Sequence, residues 1–364
     1  MPIVNKLGVR GQRIAWGIVL ILMSLAPLVS TEFRLSLLAK FLAMAILAIG
    51  LDLIWGYGGV LSLGHGVFFG LGAYAMAMYL KLQASGASLP DFMVWNSVEK
   101  LPWFWEPFRS FPIAMLLGIL LPALLAFLLG FFTFKNRIAG VYFTILTQAL
   151  VMIVVTLFVG KQEWTGGTNG LTGYNHIFGM QLHHPTTTIM LYYVTLVVLV
   201  LAYILCRRIV RSRFGQVLEA ARDGENRVRF LGYDPAWYKT LAFTLSGALA
   251  GLAGMLYVLQ VGIISPSMMG IVPSIEMVLW VALGGRGTLI GAVIGAVILN
   301  AAKTGISEAY PEGWLFVMGG LFVAIVLFMP RGLVGVYHNL SRWWRRKGGA
   351  RDAKSVVEAE RATS

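Results

Sequence analysis

Asp52, His65, Glu276 and Lys303 are ionisable residues in or beside long apolar runs. A charge is costly there and marks either a path or a pair. His65 closes a break rich in glycine, Gly56-Tyr57-Gly58-Gly59-Val60-Leu61-Ser62-Leu63-Gly64-His65-Gly66, set between two such runs. Backbone at membrane depth must be helical, or shielded by protein or a water-filled cavity, because lipid offers it no hydrogen-bond partner. Gly58, Gly59 and Gly64, with Ser62 and His65, therefore point to a translocation path rather than an inert anchor. The competing reading of His65 is a neutral, hydrogen-bonded core histidine. Asp52 is placed to bond amides freed at the break, Glu276 to sit near an outer mouth, and Lys303 to snorkel to the interface. No nucleophile stands with a base in a catalytic pairing, no His/Cys/Glu spacing suits a metal, and no cofactor is implied. The single cysteine, Cys206, excludes an intrachain disulfide and reads as a small apolar residue at a span end.

A second break, Gly284-Gly285-Arg286-Gly287-Thr288-Leu289, repeats the Gly-Gly-x-x-Ser/Thr-Leu order of Gly58 to Leu63. Interrupted segments in two halves are what an internally repeated transporter shows, and Gly284 and Gly285 join the path candidates on that ground. Chance similarity between two glycine-rich turns is the alternative. Small residues four apart recur at Gly66 and Gly70, Gly247 and Gly251, Ala250 and Gly254, and Gly291 and Gly295. Such stripes let helices approach closely, which speaks of bundle packing and not of substrate.

The chain has 364 residues, 58% of them hydrophobic and 12% charged, with a mean hydropathy of +0.76. A soluble domain of this size cannot hide so much apolar surface, so the class is an all-α polytopic membrane protein. A span needs about 20 mostly apolar residues. Runs at 14–30, 36–55, 62–82, 112–134, 139–160, 188–206, 240–262, 272–284, 289–304 and 313–329 give ten crossings, the eighth and ninth short. Of the 29 Lys and Arg, 22 then fall on one side, so the net charge of +13 reports orientation, both termini cytoplasmic, and no nucleic-acid ligand. A signal peptide over the first run is disfavoured because a second run follows almost at once. The organisation is a cytoplasmic N-terminus at 1–13, a membrane domain at 14–335 with a cytoplasmic loop at 207–239, and a basic tail at 336–364 that reads as disordered.

That loop is the most patterned polar segment. Phe214, Val217, Leu218 and Ala221 are spaced three to four apart, one apolar stripe with charge on the other face. Gly224 can end the helix, and Val228 to Leu231 make a further turn before Pro235. The residues alone allow a helix lying among lipid headgroups or a helix that docks a partner. No Gly-x-x-x-x-Gly-Lys-Ser/Thr phosphate loop occurs, so an ATP-driven process would need a separate ATPase.

The Gly56–Gly70 segment closely resembles the signature of the branched-chain amino acid and urea permease family, membrane subunits of ABC importers of the bacterial inner membrane. Glu219-Ala220-Ala221 resembles the EAA loop of ABC importer permeases, although Gly224 follows the second Ala by three residues where that consensus has four. The longer frame is also similar: Arg211-Ser212-Arg213-Phe214-Gly215, Ala220-Ala221-Arg222-Asp223, and Leu231-Gly232-Tyr233. The resemblance implies that Glu219 to Gly224, with Leu231 and Gly232, couple the protein to an ATPase. It further implies a non-catalytic permease with a sister permease, two ATPase subunits and an extracytoplasmic binding protein. The aromatic loop from Leu89 to Trp105 looks like the urea branch, specifically its C-type subunit. A branched-chain amino acid permease is the alternative, and a secondary transporter or channel would leave the 211–235 segment without a role.

Overall fold

The computed structural model describes residues 23–138, 140–309, 313–328 and 332–335. The cytoplasmic N-terminal segment and all of the basic tail read from the sequence lie outside the described residues. Residues 23–29 are helical. Ten further helices carry the architecture: α1 (Glu32–Asp52), α2 (His65–Ser85), α3 (Phe111–Lys135), α4 (Val141–Gly160), α5 (Pro185–Arg211), α6 (Arg213–Phe230), α7 (Pro235–Val261), α8 (Ile271–Gly284), α9 (Leu289–Ala309) and α10 (Trp314–Phe328).

Proline and capping chemistry start several of them. Pro235 opens α7 where its missing N–H has no role, and the Asp234 carboxylate accepts the Ala236 N–H at 3.1 Å. A π-helical turn at Leu53–Tyr57 ends α1 at its glycine. A short strand pair, His176–Ile177 against Met180–Gln181, is antiparallel and lies in the loop after α4.

The core is α1, α2 and α7, all largely buried. Helix α3 covers α2 and α7, α5 lies along α1, and the α8–α9 hairpin closes the other flank of α1. The glycine stripes fall at these crossings. A Cβ on Gly72 would land on the Gly251 backbone, and one on Gly254 would strike the Phe69 carbonyl. Gly247 and Gly251 leave the room that Pro122 of α3 fills. Van der Waals contact at such approaches does the work that the hydrophobic effect does in water.

Among the described residues six helices, α1, α3, α4, α5, α7 and α9, are long and apolar enough to cross a membrane. Helix α2 is long enough at 21 residues but buried by protein nearly throughout, so its surroundings need not be lipid. One span length differs from the sequence expectation. The ninth segment is a full 21-residue helix reaching Ala309, so of that pair α8 alone, with 14 residues, is short. The apolar run read from the sequence ends at Thr304, and the helix goes on to Ala309. The helix continues because Asn300 and Thr304 bond carbonyls one turn back and Lys303 finds a carboxylate.

The two ends of the bundle differ. At one end the loops after α2 and after α4 pack together, with the Trp105 indole donating to the Trp164 carbonyl at 3.0 Å and Lys81 donating to the Thr172 carbonyl. At the opposite end α6 lies across both glycine-rich breaks.

Candidate functional site

The break after α1 is satisfied by protein. Residues 59–64 are not helical, and α4 supplies the missing partners from two threonines one turn apart. Thr144 donates to the Leu61 carbonyl at 3.0 Å, and Leu63 N–H donates to the Thr147 hydroxyl at 3.1 Å. Ser62 accepts the Gly64 N–H and lies 3.1 Å from His65 Nδ1. His65 is 1% exposed, with Nε2 2.6 Å from the Ser246 hydroxyl and Phe68 and Phe243 edge-on to its ring. The hydrogen-bonded core reading therefore describes His65 in this conformation. Gly64 packs against Thr147.

The second break meets the first. Asp52, completely buried, accepts the Gly287 N–H on Oδ1 at 2.7 Å. The sequence reading gave Asp52 the amides of its own break. The structure sends its bond across 235 residues, because the π turn already pairs the amides of Gly58 and Gly59 with Leu53 and Trp55. Gly56 lies so close that a Cβ there would overlap both the Asp52 carboxylate and the Gly287 backbone. The Arg286 guanidinium sits 5.3 Å from the Trp55 ring centroid. Gly285 has φ +120° and receives the Thr288 hydroxyl on its carbonyl, while Gly284 packs directly on the Gly291 carbonyl. Both breaks turn at the same end of the bundle, so the two echoing motifs lie side by side.

Helix α6 docks on this junction. Leu218 and Ala221 are buried, and Phe214 and Val217 half-buried, as the stripe predicts. Arg222 bends inward and donates through Nη1 to the Gly56 carbonyl at 2.7 Å. Its stem runs over Gly59, whose absent Cβ would lie 2.5 Å from Arg222 Cγ and whose φ is +73°. Gly58 is capped beneath Leu218. Glu219 and Asp223, both exposed, flank the guanidinium at 3.4 and 2.9 Å. Ala220 faces solvent. Gly224 kinks the helix, and after a further turn Phe230 and Leu231 stand 91% and 76% exposed, followed by Gly232 at φ +86°. A charged groove of about 430 Å³ beside the kink is lined by Asp223, Glu225, Asn226, Arg227, Arg229 and Arg137.

The sequence reading missed Glu225. It accepts from Arg229 at 2.7 Å and from Lys239 of α7 at 2.5 Å, tying the second arm of α6 to the bundle. Burial alone would raise the Glu225 carboxyl, but the Lys239 and Arg229 hydrogen bonds outweigh it and hold it below the usual carboxylate range. A carboxyl depressed on folding contributes stability that is complete above its unfolded pKa, about 4.3, and lost as pH falls through the folded value. Amide exchange at 225–231, corrected for intrinsic rate, should accelerate as pH drops below that range. Glu225→Gln should abolish this pH step, and an unchanged step would assign it to another group. The missed threonines had a signal, two hydroxyls three apart in an apolar run; Glu225 had none.

Glu276 and Lys303 lie away from this junction and pair with each other, Lys303 Nζ reaching Glu276 at 2.7 and 3.0 Å. The snorkelling expected of Lys303 gives way to this ion pair, formed because α8 and α9 run side by side.

The chain matches the family described as branched-chain amino acid transport system / permease component over residues 33–326. It is 30% identical over 311 residues to the high-affinity branched-chain amino acid transport system permease protein LivM of Escherichia coli (strain K12), covering 79% of this chain and 67% of that one. It is 23% identical over 305 residues to the corresponding protein BraD of Pseudomonas aeruginosa, covering 80% and 91%. The autoinducer 2 import system permease protein LsrC of Salmonella typhi is 27% identical over 243 residues, 64% of this chain and 67% of that one. No solved structure matches significantly.

Proposed function

The chain belongs to the branched-chain amino acid transport system permease family, a multi-pass protein of the bacterial inner membrane, and we propose that it imports branched-chain amino acids with ATP hydrolysed by separate subunits. In this reading a sister permease completes the translocation path, one of two ATPases docks on α6, and an extracytoplasmic binding protein delivers substrate. The ten helices other than α6, counting the one that ends at residue 29, supply ten membrane segments, with both termini and α6 cytoplasmic. The basic residues of the α3–α4 turn and of α6 support that orientation, since both lie at the same end.

The observation that carries the reading is the Arg222 contact with Gly56. A surface helix whose guanidinium holds the carbonyl of an interrupted span, beside the Asp52–Gly287 bridge, can pass a displacement of α6 to both breaks at once. A helix merely resting at headgroups needs no such bond. Glu219 to Gly224, Leu231 and Gly232 are thus assigned to coupling, and Gly58, Gly59, Ser62, Gly64, His65, Gly284 and Gly285 to the moving wall of the path.

Family membership favours branched-chain amino acids over urea. The urea reading rested chiefly on the loop from Leu89 to Trp105, of which Phe104 and Trp105 have partners within the bundle while Trp95 and Trp103 stand exposed. Phe104 packs edge-on to Trp164 at 5.4 Å, Trp105 bonds the Trp164 carbonyl, and Lys161 lies over the Trp164 ring. Tryptophans gathered at the end of a bundle act as an interfacial belt. Proteoliposomes carrying the whole importer should take up labelled leucine in an ATP-dependent manner, undiminished by excess urea. Import of urea without leucine would reverse the assignment.

A further inference from the structure

Toward the end of the bundle opposite α6, charge gathers inside the membrane-spanning region that coupling does not use. Glu276 of α8 is 7% exposed and holds Lys303 of α9. Lys40 of α1 stands within electrostatic reach of both, its ammonium 5.8 Å from the Tyr257 ring centroid. Lys40 has no carboxylate within 4.0 Å among the described residues. The remaining ionisable side chains of these three helices are Glu32, Arg34 and Glu308 near helix ends and Asp52 at the far end of α1. Helices α8 and α9 both pack on α1, which sets Lys40 on the helix that faces the Glu276–Lys303 pair.

Buried polar atoms on α2, α7 and the loop after α4 are left without partners among the described residues. Tyr74 of α2 and Tyr174 of the loop after α4 are each 1% exposed, and neither hydroxyl has a hydrogen-bond partner among the described residues. Tyr174 lies within electrostatic reach of Tyr74 and Tyr257, and Tyr257 of Glu276. Gln260, 6% exposed and one turn beyond Tyr257, has a side-chain Nε2 without a partner among the described residues. Leaving such groups unpaired is costly, so each is available to a ligand that can bond it. Phe69 against Tyr257 and Phe158 against Tyr74 add apolar walls at 5.1 and 4.8 Å.

We propose that Lys40, Glu276 and Lys303 form a relay subsite for the zwitterionic head of an α-amino acid. The two ammonium groups take its carboxylate and Glu276 takes its ammonium as the Glu276–Lys303 pair opens. The tyrosine hydroxyls and the Gln260 amide supply uncharged hydrogen bonds. The inference rests on the reading of the chain as an amino acid permease, since a neutral solute such as urea has no charges for this arrangement.

The test uses the whole importer in proteoliposomes and follows leucine uptake beside the ATP hydrolysis stimulated by loaded binding protein. Lys40→Gln breaks no ion pair, yet it should lower uptake about tenfold, the loss of one charge-assisted hydrogen bond. Stimulated hydrolysis should remain near the wild-type rate. The double exchange Glu276→Lys with Lys303→Glu restores a pair, so yield and thermal stability should be normal while uptake stays low. Wild-type uptake by either variant makes the cluster a structural ion pair and overturns the subsite. Absence of leucine uptake by the wild-type importer instead removes the amino acid reading beneath it, an outcome no variant is needed to recognise.

Discussion

Arg222→Ala should reduce ATP-driven uptake by about tenfold or more while leaving the protein inserted and folded. The Nη1 bond to the Gly56 carbonyl is charge-assisted and largely shielded, the side chain being 25% exposed. Bonds of that kind contribute about 1.5–3 kcal/mol. The contacts to Glu219 and Asp223 contribute little, because both carboxylates are mostly in water. Helix α6 keeps its buried Leu218, Ala221 and Val228, so it should stay docked. What is lost is the grip on the break between α1 and α2. Arg222→Lys separates grip from charge, since an ammonium lacks the fork that reaches Gly56 and flanks Asp223 together. Uptake and hydrolysis should part company in both variants, hydrolysis persisting without import. Wild-type import by Arg222→Ala would remove the contact from the coupling route and leave α6 a helix at the headgroups.

The elements were legible where a local rule governs. Apolar run length located the long spans, and the three-to-four spacing of Phe214, Val217, Leu218 and Ala221 located α6 with its docked face. Gly224 was legible as a helix end because the kink there is made by the chain itself. What stayed hidden depends on tertiary contact. Nothing near Asp52 announces an acceptor for Gly287, and nothing near Arg222 announces a donor to a carbonyl 166 residues away. The end of α9 was misplaced for the same reason, as Lys303 reads as an interface residue until Glu276 appears beside it. The substrate was the least legible feature, because an aromatic loop looks alike whether it selects a solute or anchors a bundle.

Gly56→Ala should nearly abolish transport, although it adds one methyl group. The new Cβ would overlap the Asp52 carboxylate and the Gly287 backbone. Neither is the far end of a flexible side chain. Asp52 is completely buried, and Gly287 lies in the tight turn that joins α8 to α9. Relief requires α1 to part from the α8–α9 turn, which breaks the Asp52–Gly287 bond and withdraws the carbonyl that Arg222 holds. Overpacking of this kind costs about 1–3 kcal/mol even where neighbours can shift. Here the shift itself uncouples the two breaks. Gly64→Ala should be milder, since its Cβ meets Thr147 at 3.1 Å, where α4 has freedom to give as a largely exposed helix. Asp52→Asn serves as the companion variant. It keeps an oxygen for the Gly287 N–H and the same volume, so most transport should survive. Uptake, ATP hydrolysis and thermal stability of the three variants should therefore rank Gly56→Ala as the most damaging. If Asp52→Asn proves as harmful, the negative charge and not the close fit of the two breaks carries the function. If Gly56→Ala transports normally, the junction is ordinary packing and α6 must act elsewhere.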